Sequence, residues 1–316
     1  MPQGRILGPI LFLVYLNDIF NVSVPGAELI CYADDTFILF LEKSWPTLFK
    51  LANRGMSKVV TWLNKNLLTL NCQKSKYMAF QKTRAPKAQV FPELFIHSCE
   101  HSCNCPPTGR VEAIKYLGVI LDENLCYKNH VSTLSAKIRR SIFIMKTLRN
   151  SACKKTLTLV YEAICQSALL YCISAWGGIA KSTLIELERA QRAVLKVMLR
   201  KPFRYSTNEL YKESGVARVR QLYIQKVAVS IHKKIISSPE FKSLSDRRVF
   251  RIPLPTTRSS FAKRFPPYSH SSVYNQIAKT LKGIKDFSAN ELKRSLRLYL
   301  SNLDYMDTEA IITHSM

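Results

Sequence analysis

At 316 residues, with 47% hydrophobic and 22% charged side chains, the chain has a globular composition, enough for two or three domains with a buried core, and it shows no internal repeat or low-complexity tract. Nine cysteines at irregular spacings do not form a secreted disulfide framework and point instead to reduced thiols in an intracellular compartment, nucleus or cytoplasm. The net charge of +25 is concentrated: residues 1–127 hold 13 Lys and Arg against 10 Asp and Glu, residues 128–300 hold 34 against nine, and residues 301–316 hold none against three. Such a surplus in one half favours a polyanionic partner met through phosphate contacts.

In chain order, Gly4 and Gly8-Pro9 mark a turn that feeds an apolar helix over 10–20. Arg5 followed by the apolar run 6–16 imitates a signal peptide, but Gly8-Pro9 interrupts it and no small-x-small cleavage site follows, so the chain is read as not secreted. Two short apolar runs, 29–31 and 37–41, flank Tyr32-Ala33-Asp34-Asp35 and predict a hairpin with acids at its tip. Adjacent carboxylates between strands repel one another, and a hard divalent cation, Mg²⁺ or Mn²⁺, is the natural partner for such oxygen ligands. A polar surface turn has the same local sequence, so the surrounding motifs must decide.

Ser44 as N-cap and Pro46 in the first turn open a helix whose stripe is Leu48, Leu51, Ala52, Gly55, Val59, Trp62 and Leu63, and a strand follows over 76–80. The loop 84–110 holds His97, Cys99, His101, Cys103 and Cys105. Its spacing lacks the paired C-x2-C of zinc ribbons and fingers, so a loop with reduced thiols is favoured and zinc is the lesser alternative. From residue 129 the pattern turns helical: Val131, Leu134, Ile138, Ile142, Met145 and Leu148 form one stripe, with Lys137, Arg139, Arg140, Lys146 and Arg149 mostly off it. Further helices are expected over 155–176, 183–199 and 216–236, the last bearing Tyr223, Arg218, Arg220, Lys226, Lys233 and Lys234. The apolar stretch 168–180 is too short for a bilayer about 30 Å thick and reads as a buried helix, so no membrane partner is expected. Pro239, Pro253, Pro255, Pro266 and Pro267 punctuate a less regular region containing Arg247 and Arg248, before a closing helix over 289–300 with Leu292, Leu296 and Leu300 in line.

The ordered segments Pro2-Gln3-Gly4-Arg5-Ile6-Leu7-Gly8-Pro9, Tyr15-Leu16-Asn17-Asp18 and Tyr32-Ala33-Asp34-Asp35 resemble the reverse transcriptases of non-LTR retrotransposons, of the jockey or CR1-like kind. So do Trp62, Asn66, Leu67, Leu70, Asn71 and Lys74, and then Tyr116-Leu117-Gly118-Val119 with Asp122. The resemblance implies an α+β fold: a partial polymerase palm over 1–125, a small antiparallel sheet with covering helices; a helical thumb over 126–205; and a basic helical region over 206–316. It implies that Asp34 and Asp35 are catalytic and bind Mg²⁺ or Mn²⁺. Gln3, Gly4 and Lys74 would meet nucleotide and template, and Tyr116, Leu117 and Gly118 would form a primer grip. Lys137, Arg139, Arg140, Lys146 and Arg149 would contact the nucleic-acid backbone. Arg5 departs from the small hydroxyl residue that the family usually has after that glycine.

The implied function is RNA-templated DNA synthesis from deoxynucleotides, with an RNA template and a DNA primer as partners. The family's further catalytic aspartate and fingers lie upstream of the Pro-Gln-Gly motif, which here follows Met1 directly. The chain is therefore expected to be a truncated enzyme with little or no activity alone. The alternative is a non-catalytic basic nucleic-acid-binding module resting on residues 128–300.

Overall fold

The computed structural model describes residues 7–22, 24–80, 91–96, 106–238, 250–281 and 283–313. The chain divides into two compact units, Met1–Ile114 and Lys115–Met316. Helices joined to two separate two-stranded sheets make the class α+β.

In the first unit, α1 (Leu7–Asn17) continues into a 3-10 turn, Asp18–Asn21. Gly8 and Pro9 lie inside α1 and do not form the separate turn expected ahead of a helix over 10–20. Leu16 and Ile19 are buried, while Leu7, Ile10, Leu13 and Val14 face outward. A hairpin follows, β1 (Ala27–Tyr32) and β2 (Asp35–Phe40). It leans on α2 (Trp45–Lys65), which Ser44 caps through its hydroxyl, as expected. The buried stripe of α2 is Phe49, Ala52, Gly55, Met56, Val59 and Val60, turned slightly from the expected one. Gly55 sets the approach of hairpin to helix: a Cβ there would stand 2.7 Å from Phe40 Cε1 and from Val24 Cγ1.

The strand expected over 76–80 is absent. Tyr77 makes one isolated bridge to Arg110, its N–H donating to the Gly109 carbonyl and its carbonyl accepting the Val111 N–H. Its ring packs edge-on against Phe49, and Asn53 of α2 pins the segment 91–96 through Glu93 and Phe95. The Cys/His cluster from His97 to Cys105 and the residues Gln3, Gly4, Arg5, Arg247 and Arg248 lie outside the described residues.

The unit boundary falls within β3 (Ala113–Tyr116), which forms a second hairpin with β4 (Val119–Asp122). Behind it α3 (Lys128–Leu148) buries Val131, Leu134, Ile138 and Met145 as expected. The single helix expected over 155–176 is broken into α4 (Lys154–Tyr161), a π turn (Glu162–Gln166), α5 (Ser167–Leu170) and α6 (Ile173–Trp176). The break comes at Cys172, which adopts the left-handed conformation with φ +49°. Then follow α7 (Lys181–Met198), α8 (Thr207–Ser214) and α9 (Val219–Ile236). Pro266 and Pro267 open α10 (Pro266–Thr280) instead of breaking the chain, since proline suits a first helical turn. α11 (Ala289–Asn302) buries Leu292, Leu296 and Leu300, and α12 (Tyr305–Thr313) ends the described chain. One apolar core runs from Val131 to Ile312, so the stretches 126–205 and 206–316, expected as separate domains, share it. No helix among the described residues is long and apolar enough to cross a membrane.

Two of the cations on the helix expected over 216–236 are structural. Arg220 is buried; its Nε donates to Glu309 Oε1 at 2.7 Å, and its two Nη groups donate to the carbonyls of Gly177 and Ile179, each at 2.7 Å. Arg218 is also buried, bonded to Asn208 Oδ1 at 2.6 Å, with its guanidinium over the Tyr211 ring. The β4 backbone is tied to α3 in a comparable way: the Ile120 N–H donates to His130 Nδ1 at 3.4 Å, and the His130 ring meets the buried Trp176 edge-on.

Two outcomes follow from this packing. Arg220→Met removes a buried guanidinium and its three bonds, and should lower unfolding free energy by about 3–5 kcal/mol in urea titration; adding Glu309→Leu should recover much of that loss. Burial lowers the His130 pKa, so the folded state holds the ring neutral while the unfolded chain protonates first. Its contribution is present above the ordinary histidine range and is lost as pH falls through about 6.5 and below. Burial raises the Glu188 carboxyl and acts in the opposite sense, its contribution being lost as pH rises. The isolating comparison is therefore wild type against His130→Gln, whose stability should decline less between pH 8 and about pH 5.5. Equal declines would remove His130 from the account.

Candidate active site and nucleic-acid interface

The register of the first hairpin fixes where its acids stand. Ala27 pairs with Phe40 and Tyr32 with Asp35, so the loop is only Ala33 and Asp34, and Asp35 is already the first residue of β2. Ala33 has φ +51°, a left-handed conformation costing an alanine roughly 1–2 kcal/mol. Strain kept at a turn that carries adjacent acids is the kind of outlier that accompanies functional sites. Leu29, Cys31, Ile38 and Phe40 pack into the core with Leu16, Ile19 and Val59. The pleat puts Tyr32 and Asp35 on the opposite, open face with Ile30 and Leu39. The strands are thus covered on one face only, and both Asp34 and Asp35 are exposed. Among the described residues no third Asp, Glu, His or Cys joins them in a metal-binding group. Two carboxylates are what a magnesium ion commonly takes from a protein when water and substrate phosphates complete its octahedron, so the pair fits that ion as a partial site.

Lys74 stands elsewhere in the same unit, exposed on a turn that Asn71 closes by accepting the Lys74 N–H at 3.1 Å. Asn66 bonds back to the Trp62 carbonyl at 2.9 Å, and its own carbonyl accepts the Tyr15 hydroxyl, so two motif residues meet.

In the second unit Tyr116, Leu117 and Gly118 share the turn of the β3–β4 hairpin. Leu117 and Gly118 both have positive φ, +44° and +81°, as the tightest hairpin loops require. The Tyr171 hydroxyl donates to the Leu117 carbonyl at 2.6 Å, and a Cβ on Gly118 would stand 3.2 Å from the Tyr171 ring. Tyr171 is itself held at the α5–α6 break, where Trp176 Nε1 donates to its carbonyl at 2.9 Å. Asp122 organises the entry to α3, its carboxylate accepting the N–H groups of Asn124, Cys126 and Tyr127 at 2.5–3.1 Å. Sequence reading missed Tyr171, Trp176 and His130, because their partners lie across turns and a broken helix that no periodicity encodes.

On α3, Lys137, Arg139, Arg140 and Lys146 are exposed, and the helix contains no acid. Arg149 differs: it is half-buried and donates through Nη1 to the Val197 carbonyl at 3.2 Å, while Arg200 donates to the Arg149 carbonyl at 2.8 Å. It braces the joined ends of α3 and α7.

Residues 1–121 match the family described as reverse transcriptase (RNA-dependent DNA polymerase). Over 250 residues the chain is 25% identical to the RNA-directed DNA polymerase from mobile element jockey of Drosophila funebris, an alignment covering 76% of this chain and 26% of that protein. It is 24% identical over 205 residues to the probable RNA-directed DNA polymerase from transposon X-element of Drosophila melanogaster, covering 63% and 21%. It is 24% identical over 276 residues to the Pol polyprotein from type-1 retrotransposable element R1 2 of Nasonia vitripennis, covering 79% and 65%. The chain spans about a quarter of the length of the jockey proteins it matches. No solved structure matches it. Residues 1–121 thus match the reverse transcriptase family, and the chain is similar to RNA-directed DNA polymerases of jockey-like retrotransposons.

Proposed function

We propose that the chain contributes to RNA-templated addition of deoxynucleotides to a DNA 3′ end, with a palm over 1–125 and a helical thumb over 126–205 that shares its core with the basic region 206–316. The observation that carries this reading is the hairpin tip: two adjacent exposed carboxylates on a strained two-residue turn, inside the residues that match the reverse transcriptase family. Asp34 and Asp35 would hold Mg²⁺ or Mn²⁺, which when bound offsets the charge developing on the attacking and leaving oxygens. Lys74 supplies an ammonium for the triphosphate, and Gln3 and Gly4 meet nucleotide and template. The turn of Tyr116, Leu117 and Gly118, stiffened by Tyr171, supports the primer end. Lys137, Arg139, Arg140 and Lys146 neutralise backbone phosphates, with Arg149 keeping their helix in place.

We further propose that the chain alone binds primer and template far better than it extends them. Two carboxylates hold a metal loosely, and positioning with electrostatics is most of what catalyses phosphoryl transfer. The acid-free basic face of α3 also favours a second reading, a non-catalytic nucleic-acid-binding module.

The two readings separate on one pair of variants. Asp34→Asn with Asp35→Asn should leave duplex affinity unchanged and remove whatever template-dependent incorporation the purified chain displays. No incorporation under any condition, with binding intact, would leave the binding module; robust incorporation abolished by Asp34→Ala would overturn the weak-activity proposal. Binding should also weaken steeply with salt, and Arg140→Gln should reduce the slope of log K against log salt by about 1. A salt-insensitive affinity would remove the α3 face from both readings.

A further inference from the structure

Phe143 is 76% exposed at the middle of the solvent face of α3, opposite the stripe of Ile138, Ser141 and Met145 that builds the core. Arg139 and Arg140 stand one turn before it and Lys146 one turn after, so the ring is set among cations on a single helix face. Packing does not require this ring, since the helix is anchored by residues on its other side. Phe203 offers a contrast: it is 90% exposed, but the Lys196 ammonium already stands 5.4 Å from its ring centroid.

We infer that Phe143 is a stacking platform for one unpaired base of a nucleic-acid strand whose flanking phosphates are held by Arg139, Arg140 and Lys146. The inference rests on the proposed reading of α3 as a nucleic-acid face and adds to it the form of nucleic acid. A base-paired duplex would satisfy the cations but leave the ring in water, because its bases are already stacked on one another. An unpaired base offers a free π face, and stacking on a protein aromatic is tolerant of sequence because every base has one. The charge of the patch matches a polyanion: α3 sets the exposed Arg139, Arg140 and Lys146 around the ring and carries no carboxylate. The ring has only two side-chain torsions, so little freedom is lost when a base covers it.

The test uses the full chain and three probes at one salt concentration: a blunt DNA duplex, a primer–template with a single-stranded RNA overhang, and single-stranded RNA. Phe143→Ala should weaken binding to the overhang and to single-stranded RNA by about tenfold while leaving the blunt duplex within about twofold. Phe143→Tyr and Phe143→Trp should restore the loss. The fluorescence of 2-aminopurine at the unpaired position should be quenched by the wild type and by Phe143→Trp, but not by Phe143→Ala. Because the side chain is exposed, the alanine variant should unfold at the wild-type midpoint. Equal losses on all three probes, or none, overturn the stacking role while wild-type binding leaves the α3 face standing. Self-association lost in Phe143→Ala with nucleic-acid binding unchanged would assign the ring to a protein contact and overturn it too. If the wild type binds none of the probes, the reading beneath the inference falls with it.

Discussion

A hairpin of two strands is marginal in water on its own, because half its backbone groups and one whole face have no protein partner. Both hairpins that carry motif residues here obey that constraint by leaning on helices. β1–β2 lies against α2 at Gly55, where only a missing side chain allows Phe40 and Val24 so close. β3–β4 is held by His130 from α3 and by Tyr171 from the α5–α6 break. The orientation of both turns is therefore set by the helix that follows each hairpin and, for β3–β4, also by Tyr171 from far along the chain.

Each turn also carries local strain that its support must outweigh. Ala33 and Leu117 adopt positive φ without being glycine, and a left-handed non-glycine residue survives only where the surroundings over-determine it. In the first unit that leaves Asp34 and Asp35 outside the core, on a short projecting tip. In the second it leaves a rigid two-residue loop whose glycine is covered by an aromatic ring.

Charge tells a similar story at larger scale. The +25 surplus is a bulk property, yet the structure divides its cations by task. Arg220 is enclosed with Glu309 and two carbonyls, Arg218 is bound to Asn208 against Tyr211, and Arg149 braces α3 to α7. Lys137, Arg139, Arg140 and Lys146 remain outward. A net charge measures attraction for a polyanion at long range, whereas the surface where it docks is the subset that folding leaves unspoken for.

The sequence by itself determined the elements whose signals are local. The stripe of Val131, Leu134, Ile138 and Met145, the Ser44 cap, the closing leucines 292, 296 and 300, and the hairpin around Asp34 and Asp35 are short-range patterns, and the ordered motifs pointed to the family that residues 1–121 match. What only the tertiary structure decided depends on partners far along the chain. The strand expected over 76–80 is reduced, among the described residues, to a single bridge from Tyr77 to Arg110, and the helix expected over 155–176 broke at Cys172, where Tyr171 turns to reach Leu117. Pro266 and Pro267 changed from breakers to helix starters by position alone. Whether an arginine binds phosphate or holds a core together was likewise invisible in composition, because burial is a property of the folded chain and the same side chain serves either end.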